Sequence, residues 1–94
     1  MTRMTTDPLP GNDLVRQGIE DLSRGVESIS ALLVSIGAPR LRMLGLEIPE
    51  NVISLPELRL YQRLSSDDPD VAHSRYNALI RRLISFERAA ECAR

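Results

Sequence analysis

Seven apolar residues, Val15, Ile19, Leu22, Val26, Ile29, Leu33 and Ile36, follow one another at alternating spacings of four and three, the spacing of an apolar seam along a helix. The seam predicts one long amphipathic helix over about 12–36. Asn12 suits the N-cap and Asp13 puts a negative charge in the first turn. Gly37 offers a left-handed C-cap position and Pro39 follows it, so the helix is expected to stop near Ile36 after roughly 37 Å. Gly18 and Gly25 stand seven apart on one side of the seam, with Ser23 and Ser30 on its other flank. Each glycine costs about 1 kcal/mol against alanine inside a helix. The pair is therefore read as room for a second helix to approach closely, from a docking partner or from the same chain.

Before this helix, residues 1–11 carry Pro8, Pro10 and Gly11 among small polar residues and are expected to form a disordered N-terminal tail. After it, residues 38–53 hold Pro39, Gly45 and Pro49 together with Leu41, Leu44, Leu46, Ile48, Val52 and Ile53. That is too apolar for a solvated linker and predicts a connector packed over one end of a bundle. Ser54-Leu55-Pro56-Glu57 has the form of a capping box, with Ile53 and Leu58 as its staple. It predicts a short helix over 55–65 whose inner side is Leu58, Tyr61 and Leu64. Asp68-Pro69 then opens a last long helix over 69–92. Its stripe is Ala72, Tyr76, Leu79, Leu83, Phe86 and Ala90, widened by Ile80 and Ile84. No strand-like alternation occurs, so the class is all-α: a helical hairpin of two long amphipathic helices with one short capped helix laid across it.

With 94 residues the chain is expected to form a single helical domain over 12–94. Two short elements cannot readily cover two long stripes. A homodimer that buries one seam in a four-helix-type bundle is therefore expected. Cys92, the single cysteine, excludes an intrachain disulfide framework. No apolar run approaches the ~18 residues of a membrane span. The polar start Met1-Thr2-Arg3-Met4-Thr5 is no signal peptide, and a cytoplasmic location without membrane association is expected.

The supply of catalytic groups is thin. His73 and Cys92 on one helix would stand roughly 28 Å apart, beyond hydrogen-bond reach. Asp70 and His73, with Asp67 or Asp68, have a spacing that could ligate a metal, but carboxylates at a helix start already cap amides and oppose the helix dipole. The glycines match no phosphate-cradling loop. The reading is no catalytic residue, no cofactor and no metal, with Cys92 as a small, semi-buried residue.

Arg75, Arg81, Arg82 and Arg88 lie off the stripe of the last helix, and His73-Ser74-Arg75-Tyr76-Asn77 is its densest run of hydrogen-bonding side chains. The formal charge of −1 argues against general polyanion binding. Glu87 and Glu91 interrupt the basic face, and only three aromatics are available for stacking. The turn at Ser65 to Asp68 would suit a helix-turn-helix, but a 24-residue amphipathic helix is unlike a recognition helix. The leading expectation is a small non-catalytic interaction or regulatory module acting through helix faces on a protein partner. Gly18, Gly25, His73, Arg75, Tyr76, Asn77, Arg81, Arg82 and Arg88 are its candidate contact residues. The alternative is a dimeric nucleic-acid-binding regulator using the arginine face.

Overall fold

The computed structural model describes residues 9–93. Among them the chain forms four helices and no strand: α1 (Asn12–Ser23), α2 (Ile29–Met43), α3 (Pro56–Asp67) and α4 (Ala72–Cys92). The tail expected over residues 1–8 lies outside the described residues. Leu9 to Gly11 are part of the fold. Leu9 packs against the core, its carbonyl accepts from the Asn12 amide at 2.9 Å, and Gly11 caps α1 from the left-handed region at φ 77°.

The single helix expected over 12–36 is two helices folded back on each other, and the correction turns on which glycine stops it. Gly25 takes φ 72°. Its amide bonds Leu22 O at 3.0 Å and that of Val26 bonds Asp21 O at 2.8 Å, the paired bonds of a Schellman ending. Val26, a seam residue by spacing, is left 43% exposed in the loop. Ser28 then starts α2, accepting from the Ala31 amide at 3.0 Å and donating to Asp21 Oδ2 at 2.5 Å. Asp21 also takes Gln17 Nε2 at 2.9 Å. These hydrogen bonds from Ser28 and Gln17, with Arg24 nearby, hold the Asp21 carboxyl below the usual aspartate range.

Gly37 does not end α2; the helix runs through it and through Pro39 to Met43. Pro39 has no amide to give to the Ser35 carbonyl, and the Ser35 hydroxyl binds elsewhere, donating to Ala31 O at 2.9 Å and accepting from the Ile53 amide at 3.1 Å. The stop comes at Gly45, φ 98°, again with a Schellman pair, Gly45 to Arg42 O at 3.0 Å and Leu46 to Leu41 O at 3.1 Å. The connector is thus shorter than expected, and Ile48 in it is buried. Asn51 Nδ2 pins it to Leu22 O at 2.9 Å.

α2 is the central helix, packed on α1, α3 and α4. Ala31 to Ser35, Gly37, Ala38 and Leu41 are all buried, as expected of a helix apolar on most sides. It meets α1 at Gly18, where an added Cβ would overlap the Ser30 carbonyl and Val34 Cγ2. The rest of the core is Val15 and Leu22, Leu60 and Leu64, and Ala72, Leu83 and Phe86.

The expected capping box at Ser54 does not form. Pro56 occupies the first helical position, where its fixed φ and missing amide cost least. That shifts the cap to Leu55, which has no side-chain acceptor and sits in the left-handed region at φ 50°. The inner side of α3 moves with it to Leu60 and Leu64, while Leu58 is 54% exposed. Pro69 lies in a turn before α4 rather than inside it. The Asp68 carboxylate accepts from the Asp70 amide at 3.1 Å, and the Asp68 carbonyl from the Val71 amide at 3.3 Å. The stripe of α4 is as expected: Ala72, Leu83 and Phe86 are buried and Tyr76, Leu79, Ile80 and Ala90 pack beside them.

Gly18→Ala should destabilise the fold by about 1–3 kcal/mol in thermal or denaturant unfolding, because backbone must move to admit the methyl group. A stabilisation of the size expected from helix propensity alone would refute the close crossing at Gly18.

Candidate functional site

Where α2 crosses α4, Gly37 removes the side chain that would fill the space: an added Cβ would lie 3.1 Å from Leu83 Cδ1 and 3.0 Å from Glu87 Oε2. A groove of about 350 Å³ opens between the two helices, walled by Ile36, Pro39, Ile80, Leu83 and Ile84, with Arg40 and Glu87 on it. Beyond the shared Pro39 and Arg40 it continues into a second hollow of about 410 Å³ bounded by Met43, Leu44 and Glu91. Its rim is apolar: Ile84 is 39% and Met43 78% exposed. Ile80 and Ile84, which widen the α4 stripe in the sequence, are the residues that line this groove.

Glu87 is only 7% exposed. Its one ion pair, with Arg40 Nε at 3.9 Å, is too long for a hydrogen bond, and among the described residues its carboxylate accepts none. Burial pushes the Glu87 carboxyl above the usual glutamate range, and the positive charge of Arg40 offsets part of that rise. Arg40 also donates from Nη2 to Glu91 Oε1 at 3.2 Å, so one guanidinium serves two carboxylates. By residue type Glu87 reads as a carboxylate that interrupts the basic face; the signal of its burial is its position, four residues after Leu83 and three before Ala90, inside the apolar stripe.

The residues singled out in the sequence are dispersed. Gly18 is buried beneath α2 of the same chain and Gly25 ends α1 in solvent, so they share no face. His73 is exposed, with Nε2 3.2 Å from Asn77 Nδ2. Arg75 closes the α3–α4 turn, donating to Asp67 Oδ2 at 2.6 Å. Tyr76 packs edge-on to Tyr61, ring centroids 5.8 Å apart, and burial pushes its hydroxyl above the usual tyrosine range, with the charge of Glu57 adding to the rise. Arg82 ties α4 to α1 through Asp13 at 3.2 Å. Arg59 holds Glu27 by two contacts, at 2.9 and 3.1 Å, and Arg63 donates to the Glu27 carbonyl. Arg81 and Arg88 are exposed and pair with no carboxylate among the described residues. Cys92 is exposed, not semi-buried.

The described residues contain no group of three or more His, Cys, Asp or Glu side chains placed to hold a metal, and no helix among them is long and apolar enough to cross a membrane. No protein-family model, curated protein or solved structure matches the chain.

The raised pKa of Glu87 has a defined effect on stability, because the folded chain holds this proton more tightly than the unfolded chain. The resulting stabilisation is fully present below the ordinary value of 4.5 and is lost as pH rises through the raised one. In dilute protein, wild type should therefore lose stability relative to Glu87→Gln as the pH of thermal melts is raised from about 4 to 7. The opposite slope would mean that the attraction of Arg40 outweighs burial.

Proposed function

We propose that this chain is a non-catalytic helical interaction module that works as a homodimer, with the α2–α4 groove as its self-association face. The observation that carries the reading is the groove itself: an apolar trough between two helices, rimmed by exposed Ile84 and Met43 and floored by a buried carboxylate that accepts no hydrogen bond among the described residues. A small domain has little core to spare, and covering such a trough returns apolar area to the interior. Dispersal of the candidate catalytic groups supports a binding role, since His73 and Cys92 stand near opposite ends of α4.

The nucleic-acid reading draws less support. Arg59, Arg63, Arg75 and Arg82 are each held by an intrachain acceptor. Among the described residues that leaves Arg16 on α1 with Arg81 and Arg88 on α4, few for the multiple phosphate contacts behind non-specific affinity.

Light scattering after size exclusion should find a dimer at micromolar concentration. Ile84→Asp should weaken it at least tenfold, which corresponds to about 1.4 kcal/mol, while leaving the helical circular dichroism of the monomer unchanged. A wild-type monomer under these conditions would refute the reading. Duplex-DNA affinity that falls steeply with salt would favour the alternative.

A further inference from the structure

We propose that two copies associate with their α4 helices parallel, and that the partner's Arg88 supplies the hydrogen-bond donor that Glu87 lacks among the described residues and gives Glu91 a second guanidinium beside Arg40. The inference rests on the homodimer reading and adds its geometry. At about 100° per residue, Arg81 and Arg88 fall on one flank of Ile84, while Ile80, Glu87 and Glu91 fall on the other. One flank therefore carries two guanidiniums with no carboxylate partner among the described residues. The other carries two carboxylates that share Arg40, at 3.9 Å from Glu87 and 3.2 Å from Glu91. Ile84, 39% exposed, stands on the line between them.

The symmetry of the pair decides which flanks meet. A two-fold axis running along α4 brings the basic flank of each copy against the acidic flank of the other. An axis perpendicular to α4 and passing between the helices makes them antiparallel and brings like flanks together: the partner's Arg81 then stands over Arg88, and the partner's Ile80 over the buried Glu87. Like charges opposed at close range are unfavourable, and a buried carboxylate facing an apolar side chain stays unsatisfied. In the parallel pair the partner's Arg88 lies level with Glu87 and within one helical turn of Glu91. Two carboxylates then meet two guanidiniums, Arg40 from the same chain and the partner's Arg88, in a groove whose Ile36, Ile80 and Ile84 exclude water around them. Glu87 is thereby held in a site that is complete only when the second copy is present.

Cys92, free and exposed near the end of α4, reports the geometry directly. In the parallel pair both copies of Cys92 lie at the same level along the helices. In an antiparallel pair centred on Ile84 they lie roughly 24 Å apart along the axis. A short bismaleimide should therefore cross-link the wild-type dimer through Cys92 in high yield. Arg88→Glu and Glu91→Arg should each weaken self-association at least tenfold, and an equimolar mixture of the two should restore a dimer. Failure of the cross-link in a protein that light scattering shows to be dimeric, or no rescue in the mixture, would overturn the parallel arrangement and leave the homodimer reading standing. A chain that stays monomeric would overturn both.

Discussion

With no Cβ between them, the backbone of α1 at Gly18 and that of α2 at Ser30 lie in direct contact. That contact follows from Gly25, which reverses the chain early enough for α2 to return along α1. Once α2 is pressed against α1 on one side, its remaining apolar residues need cover from two further directions, and α3 and α4 supply it. Asp21 secures the reversal, because its backbone carbonyl closes the end of α1 while its carboxylate accepts from Ser28 at the start of α2. A single aspartate so joins the stop of one helix to the start of the next.

Much of the fold is legible in the sequence where one local rule operates alone. The all-helical class and the stripe of α4 follow from apolar spacing that nothing else contests, and the packing of the part of the connector beyond α2, at Leu46, Ile48, Val52 and Ile53, follows from its apolar composition. The errors fall where two rules compete for one residue. Gly25 and Gly37 are both stop signals by type, and Pro39 weights the choice toward Gly37. Yet a packed helix can carry a proline at the cost of one hydrogen bond and a ring clash with the preceding turn, whereas a seam of seven residues cannot bury itself without a turn. At Ser54 the capping box competes with the preference of Pro56 for the first helical position, and the proline wins. At Asp68 the same residue pair serves equally as a helix entry or as a turn, and the chain takes the turn, with α4 starting at the buried Ala72.

The candidate site was only half visible for a related reason. Ile80 and Ile84 announce excess apolar surface, but a groove needs two helices, and the second wall comes from Ile36 and Pro39 on an α2 whose course the sequence did not disclose. Glu87 reads as one more surface carboxylate until Gly37 is found opposite it. The arginines show the converse. Their number suggests a basic face, while the structure spends most of them on carbonyls and carboxylates of neighbouring elements, leaving an uneven residue of charge on one flank of α4.

The central place of α2 also bears on how the molecule can come apart. Each of the other helices packs on it, and α1 meets α4 mainly through the Asp13–Arg82 pair and the close approach of Gly11 to the Arg82 carbonyl. No pair of helices can therefore separate from the rest with its apolar surface covered. An α1–α2 hairpin alone would leave bare the sides of α2 that α3 and α4 cover, and an α3–α4 hairpin alone would leave Leu83 and Phe86 facing water. Cooperativity follows from that arrangement, since the loss of α2 removes the main support of all the others, as in a small domain that unfolds in one step.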